Sequence, residues 1–498
     1  MDFINVKNNE RIAAGSIPEV SNRIFTDTLD GLMGSENAHC VNYFGYRAGD
    51  KIKLICAIAD DNNNNISLTS TQVTIQDQLP SLTPKHTALH IFERTIHENF
   101  GIHFSGHPWL KPVRYPSDRH DKRLTIPNYP FYSIDSEELH EVGVGPIHAG
   151  IIEPGHFRFI CNGEQIMHLE IQLGFQHRGI ENLFLTKKGL LQRATLAENI
   201  TGDTTVGHAM AFANAWEGLC GFVPSEKLEA ERIIALENER IAIHTGDLSA
   251  ICTDIAFQLG SAVFGRLRTP VINFFQQWCG NRFAKSLIRP GKSNFRFTDV
   301  TAKTWTGMID SFMPDFIDMA NKTFDLPSVL ARLERTGIVS KETARDIGAV
   351  GMAAKASGLQ RDVRFSHPFG YYHNYKLDLI KQHTGDVYSR AKLRFEEVLE
   401  SAGFIKDIVS RLPQMKDETG TLGPPEKDSF IVSLVEGWRG EICHCAITGN
   451  DGELIHYSIK DPSVHNWMAL ALAVRQNEIS DFPVCNKSFN LSYCGHDL

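Results

Sequence analysis

A stretch rich in proline and charge between residues 116 and 140 divides this 498-residue chain into a short first segment and a long second one. Pro116, Pro127 and Pro130 lie there among Arg119, Asp121, Lys122 and Arg123, a composition that reads as a linker. The division limits the fold, because each side must find its own secondary structure before the two can pack. Residues 1–115 read as a small α/β unit. Ile52–Asp60 and Ser67–Ile75 carry strand patterns, joined by the turn-prone run Asp60-Asp61-Asn62-Asn63-Asn64-Asn65. Leu89, Phe92, Ile96 and Phe100 then recur at helical spacing after Pro84, with Gly101 placed to end the helix. Beyond residue 140, Phe157–Gly163 and Ile166–Gly174 read as a hairpin around Asn162-Gly163. A mainly helical region runs on to about residue 420. Leu228, Ile234, Ala235 and Ile241 mark one bundle helix, and Leu248, Ile251 and Ile255 the next. Two strands return near the end, around Ser433–Ile447 and Gly452–Lys460, with Asn450-Asp451-Gly452 between them. The fold class expected is α+β: residues 1–115 a small α/β domain, 116–140 a linker, and 141–498 a large helical domain with short antiparallel strands from both its ends.

Composition excludes several function classes. Hydrophobic residues make up 42% and charged residues 22%, ordinary values for a globular protein. The formal net charge of -9 argues against nucleic-acid binding. No apolar run approaches the roughly 18 residues that span a bilayer, and the first residues lack a signal-peptide core. A cytoplasmic chain, or one held at the cytoplasmic face of an inner or plasma membrane by partners, is expected. The ten cysteines are scattered, and only Cys443 and Cys445 lie within four residues of each other. That spacing suits buried, reduced thiols better than a disulfide framework or a zinc site. No GxGxxG fingerprint is present, so any nicotinamide chemistry would belong to another subunit.

Several separated motifs carry a more specific signal. They are EVGVGPIHAGIIEPGHFRF (Glu141–Phe159), GFQHRGIENL (Gly174–Leu183), AENITGDTTVGH (Ala197–His208), NRFAKSLIRPGK (Asn281–Lys292), ASGLQRDVRFSHPFGYY (Ala356–Tyr372) and EGWRGE (Glu436–Glu441). The tail DFPVCNKSFNLSYCGHDL (Asp481–Leu498) completes the set. In this order they resemble the catalytic large subunit of group 4 membrane-bound nickel–iron hydrogenases and its relative, the quinone-site large subunit of respiratory complex I. Pro80–Pro116, with FGIHFSGHP (Phe100–Pro108) at its core, is similar to complex I's small hydrophilic subunit. His103 and His107 within it read as turn residues rather than a metal site. The chain therefore looks like a fusion of two subunits usually encoded apart.

The resemblance implies a redox cavity and also shows what that cavity lacks. In the hydrogenases two CxxC pairs hold nickel and iron, and nickel needs such soft sulfur ligands. The first pair falls here on Thr201-Gly202-Asp203-Thr204, and the second near Ser492-Tyr493-Cys494-Gly495. No nickel–iron centre is expected, and no other cofactor bound by this chain alone. Asp203, His208, His496 and Asp497 could hold a harder ion, although nothing in the sequence fixes their geometry. Glu153 matches the hydrogenase proton-route glutamate, and His156 could share that role; the alternative is a Pro-Gly turn with a packing histidine. Arg439 matches an arginine over the metal's ligands, with Trp438 in place of the usual proline. It could bind an anionic or quinoid oxygen, or form an ion pair with Glu436 or Glu441.

His177, Arg178 and Glu181 match a segment that lies against the iron-sulfur subunit; the alternative is a helix start capped by Arg178 and Glu181. Catalytic candidates are thus Glu153, His156, Asp203 and Arg439. Cofactor-contact candidates are His148, His177, Arg178, Glu181, His208, Cys494 and His496. Asp362, Arg364, Arg289 and Gly291 are expected to shape walls rather than react. Complex I's quinone-binding tyrosine and histidine fall near Gly202 and Pro154 and do not carry over. The function implied is a fused hydrophilic-arm subunit of a complex I-like oxidoreductase, with quinone the leading acceptor and proton movement coupled to electron arrival. Its expected partners are an iron-sulfur subunit and antiporter-like membrane proteins. A hydrogen-evolving large subunit and a non-catalytic scaffold are the alternatives.

Overall fold

Strand alternation organises the first segment in the computed structural model, which describes all residues except 149, 151, 376 and 419. Its sheet has the order β1 (Ile4–Val6), β5 (Asn65–Val73), β4 (Lys51–Asp60), β3 (Ala38–Ala48), antiparallel throughout. The β4–β5 turn is tied by Asp60, whose Oδ1 accepts the N–H groups of Asn62 and Asn63. Both faces of β4 are covered. Leu54, Cys56 and Ile58 pack with Phe25 and Leu29 of α1 (Asn22–Met33) and with Phe92 and Ile96 of α2 (His90–Phe100). Ile55, Ala57 and Ala59 point the other way, into the core of the second segment. Each large apolar side chain so buried contributes about 1.5–3 kcal/mol. Gly101 ends α2 at φ 78°, the left-handed conformation expected of it.

The first residues do not stay with this sheet. Strand β2 (Ile12–Ala13) pairs with β9 (Ser429–Gly437), more than 400 residues away in sequence, and Asn8 exchanges hydrogen bonds with the Leu434 backbone. Residues 116–140 lie along the second segment. Tyr129 Oη and the Tyr132 N–H donate to Glu170, and Gln172 donates to the Ile126 carbonyl. Strands β6 (His140–Val144), β7 (His156–Asn162) and β8 (Gln165–Gln172) form a three-stranded antiparallel sheet, adding one strand to the expected hairpin.

The helical region follows as α3 (Ile180–Thr186), α4 (Thr205–Leu219), α5 (Glu226–Asp254), α6 (Gln258–Cys279), α7 (Asp299–Asp325) and α8 (Val387–Arg411), with shorter helices between. The helix break expected between Ile241 and Leu248 is absent: α5 runs through it, Gly246 included. Gly246 serves close packing instead, since a β-carbon there would lie 2.8 Å from Arg268 Cδ. At the far end, the single strand expected over Ser433–Ile447 is a hairpin. Strand β9 turns at Trp438-Arg439 into β10 (Gly440–Thr448), which pairs onward with β11 (Leu454–Lys460). Helices α9 (Ser463–Ala473), α10 (Phe482–Phe489) and α11 (Tyr493–Asp497) complete an α+β fold. Among the described residues no helix is long and apolar enough to cross a membrane.

Candidate functional site

The two slots that lack their thiolate pairs come together in space. Thr201–Thr204 forms the loop entering α4, and the Gly437–Gly440 turn of the β9–β10 hairpin closes over it. Trp438, the residue in the proline's place, donates its indole N–H to the Asp203 carbonyl at 2.8 Å. Arg439 grips the Asp203 carboxylate with both terminal nitrogens, at 2.6 and 2.7 Å. It also donates to Thr204 Oγ1 at 3.0 Å and to the Asn490 carbonyl at 2.5 Å. Its guanidinium lies 4.0 Å from the Trp438 ring centroid. The alternative of an ion pair with Glu436 or Glu441 is not realised, because Asp203 takes the arginine in a bidentate grip. Gly440 makes this turn possible: it sits at φ 134° against the Gly351 backbone, where a β-carbon would clash. Arg439 is 4% exposed on its side chain, and Asp203 is 35% exposed, so the pair spans from interior to surface.

Behind it runs a buried hydrogen-bonded chain, of which only His208 is legible as a candidate in the sequence. The distances are 2.8 Å from Tyr457 Oη to His444 Nδ1, 3.1 Å from His444 Nε2 to His208 Nδ1, and 3.0 Å from His208 Nε2 to Asp461 Oδ2. Burial, with the neighbouring His208, holds His444 well below the ordinary imidazole range and therefore neutral. The four groups are thus hydrogen-bonded in series, with His208 between a neutral imidazole and a carboxylate. Burial would raise the Asp461 carboxyl, but the His208 hydrogen bond and charge, with Arg439 behind them, outweigh it and hold Asp461 low. Asp461 also borders the second slot. A β-carbon on Gly495 would lie 2.7 Å from both Asp461 Cγ and Thr201 Cγ2.

The start of α4 is held by Glu239 of α5, which accepts the Val206 and Gly207 N–H groups at 2.8 and 3.2 Å. Burial pushes this carboxyl up to about 8, with the Asp203 charge adding to the rise against the two N–H bonds.

The remaining candidates brace the tail. Glu153 accepts the Cys494 N–H at 3.4 Å. Burial, with Glu153 beside it, pushes the Cys494 thiol up to about 12. His156 does not meet Glu153: its Nδ1 bonds the Gly145 carbonyl at 3.0 Å, while His148 Nε2 bonds the Gly155 carbonyl at 2.9 Å. The two histidines thus cross-brace one loop. His177 Nδ1 bonds the Asp497 carbonyl, and Arg178 donates to the carbonyls of Asn199, Ile200 and Cys494. Glu181 accepts the Ile459 N–H at 2.7 Å. The start of α3 is therefore not capped by Arg178 and Glu181. The Leu498 carbonyl takes the N–H groups of residues 178–180 instead. His496 bonds Asp497, which accepts the Gly174 and Gln176 N–H groups. Asp203 is thus taken by Arg439, His208 by Asp461 and His444, and His496 by Asp497, and among the described residues no group of three or more His, Cys, Asp or Glu could hold a metal.

Asp362 and Arg364 belong to a second buried constellation in the bundle. Lys355 Nζ lies 2.7 Å from Asp362 and 2.6 Å from Glu397, and Arg364 grips Asp362 at 3.0 and 2.7 Å. Arg240 joins Glu237 at 3.1 Å and Glu397 at 3.4 Å, and it donates to the carbonyls of Glu436 and Gly437 beside the Arg439 turn. Arg289 pairs with Glu198 at 2.5 Å, and the Gly291 N–H donates to Glu217, so both brace a wall.

Comparison with known proteins fits this geometry. Residues 13–126 match the family model described as respiratory-chain NADH dehydrogenase, 30 Kd subunit, and residues 254–433 the one described as the 49 Kd subunit. Hydrogenase-4 component G of Escherichia coli (strain K12) is 26% identical over 434 residues, covering 84% of this chain and 75% of that protein. The C/D fusion protein of the NADH-quinone oxidoreductase of Phocaeicola vulgatus is 26% identical over 438 residues, covering 78% of this chain and 81% of that protein. A chain of the membrane-bound sulfane sulfur reductase, an archaeal respiratory membrane complex, shares the fold at a TM-score of 0.66 and 19% identity, over 74% of this chain and all of that one. The protein is a fusion of a 30 Kd-subunit domain and a 49 Kd-subunit domain of the NADH dehydrogenase families, homologous to group 4 hydrogenase large subunits and to the C/D fusion proteins of NADH-quinone oxidoreductase.

Proposed function

We propose that this chain is a redox subunit of a membrane-bound, complex I-like complex, seated at the cytoplasmic face beside a partner's iron-sulfur cluster. Its Asp203–Arg439 slot serves an oxygen-bearing acceptor, quinone before others, and works without nickel. The observation that carries the reading is the buried Tyr457–His444–His208–Asp461 chain ending against the joined slots. An acceptor that gains electrons also takes protons, and Asp461 and its histidines form a line along which one can move. Arg439 holds its positive charge at any working pH and favours oxygen that becomes negative as it is reduced. Two threonine hydroxyls, one protonated thiol and an Asp–Arg pair are a poor donor set for nickel, which supports a slot that does not use it.

The test is elemental analysis of the purified native complex, together with quinone-dependent turnover. Iron without nickel and a quinone-dependent rate are the expected result. Stoichiometric nickel would overturn the reading. The scaffold alternative draws on one observation: His177, Arg178 and Glu181 spend their polar atoms on the tail and on neighbouring strands. An Arg439→Ala complex that assembles and turns over normally would favour it.

A further inference from the structure

A cavity of about 500 Å³ opens where the two fused segments meet and lies apart from the Asp203–Arg439 pair. The first segment contributes α2 and the stretch down to Val113, and the second contributes β8, α9 and α11. Burial gives the cavity a direction. Its floor is fully enclosed, with Val464, Trp467, His90 and His496 each 4–5% exposed. Its mouth carries the exposed Tyr132 and Arg475 and the half-buried His168. Trp109 and Tyr129 supply flat walls between them.

The polar groups are few and specific. Neither ring nitrogen of the buried His90 has a partner, and His496, whose Nδ1 bonds Asp497, also lines the cavity. Burial pulls both imidazoles below their ordinary range, so each is neutral; His90 offers one donor and one acceptor, whereas His496 gives its N–H to Asp497 and offers Nε2 as an acceptor. Unpartnered buried polar atoms are costly, and a ligand oxygen would satisfy them. Three cations line the cavity, Arg94, Lys111 and Arg475, against the single carboxylate of Glu170. Lys111 is paired with Glu170 at 2.5 Å, and Arg94 donates to the carbonyls of Lys111 and Pro112. Arg475 makes one 3.3 Å bond to His168 and keeps its other N–H groups at the mouth.

We propose that this cavity binds a small ring-bearing carboxylate. Its aromatic body lies between Trp109, Tyr129 and Trp467, a carbonyl oxygen accepts from His90 (a hydroxyl there also donates to His496 Nε2), and the carboxylate pairs with Arg475. Volume and lining match the usual ligand pocket, apolar with a few placed polar groups. An occupant would touch His496, and so the tail that also carries Cys494. The inference does not depend on which acceptor the Asp203–Arg439 slot serves.

Benzophenone-4-carboxylate tests it, because the molecule has two rings, a ketone and a carboxylate, and cross-links on irradiation. The full chain in its purified complex would be irradiated with the probe and its peptides mapped by mass spectrometry. The expected result is saturable labelling confined to peptides containing Met468 and Trp109, at least ten-fold weaker in Arg475→Glu and lost in the cavity-filling Ala471→Phe. Arg475 is exposed, so its variant folds whether or not Ala471→Phe does. Labelling that is scattered or does not saturate would overturn the proposal. So would labelling of the same peptides that is unchanged in Arg475→Glu.

Discussion

In the helical bundle, Glu237, Arg240, Lys355, Asp362, Arg364 and Glu397 are all at most 5% exposed, and each cation touches two of these carboxylates. Three cations thus balance three carboxylates. The surplus acid Glu436 is pushed up by burial and by the Asp362 charge, and Glu400 is pushed to about 7, chiefly by burial. In the slot, one Asp–Arg pair reaches from the interior to the surface, and the groups behind it form a line rather than a mesh. The mesh has no member that can leave without stranding a charge in the core. The slot has a member, Asp203, that water can already reach. Buried charge therefore holds architecture in one place and leaves a reachable carboxylate in the other.

Lys355→Met should produce the largest effect. It leaves two cations, Arg240 and Arg364, for three buried carboxylates, and the uncompensated negative charge is expected to cost about 3–5 kcal/mol, read as a fall in thermal or denaturant midpoint. Arg439→Ala should cost less, about 1–3 kcal/mol, because Asp203 can be rehydrated while the Thr204 and Asn490 bonds are lost. A loss equal to that of Lys355→Met would erase the contrast between mesh and slot.

The smallest effect concerns pH. The folded-state pKa of Glu239, about 8, lies above its ordinary 4.5. Its contribution to stability is therefore fully present below pH 4.5 and lost as pH rises through 8. The stability advantage of the wild type over Glu239→Gln should shrink across that window, as followed by denaturant midpoints. A constant difference would show that the Glu239 proton is not linked to folding.

The sequence conveys the frame of this molecule better than its polar interior. The β4–β5 turn, the Gly101 stop and the Asn162-Gly163 hairpin are readable because each depends on neighbouring residues. Strand β3 is not, because its run Ala38-His39-Cys40-Val41-Asn42 puts polar side chains where two buried faces need hydrogen-bonded partners. The mesh escapes sequence reasoning for a related reason. Glu237, Arg240, His244 and Asp247 recur at three- and four-residue spacing on α5, facing Arg394, Glu397 and Ser401 on α8. Such stripes resemble solvent-facing charge unless both helices are considered together. Among the site candidates, the motifs place Asp203, His208 and Arg439 in the right neighbourhood. They do not supply the Arg439 partner, 236 residues away, nor His444 and Asp461, which lie on or beside a sheet whose strand pattern reads as fewer strands than it has.

The most direct measurement is quinone-dependent turnover of the assembled complex carrying Asp461→Asn. The asparagine keeps the shape of the acid but only one of the two oxygens that accept from His208 and the Ser463 N–H, so turnover is read on complex whose assembly is verified by co-purification. A fall of roughly 100-fold or more, in the range of lost general acid–base catalysis, is expected. Wild-type turnover from that complex would contradict the role given to the buried chain and to the slot it serves.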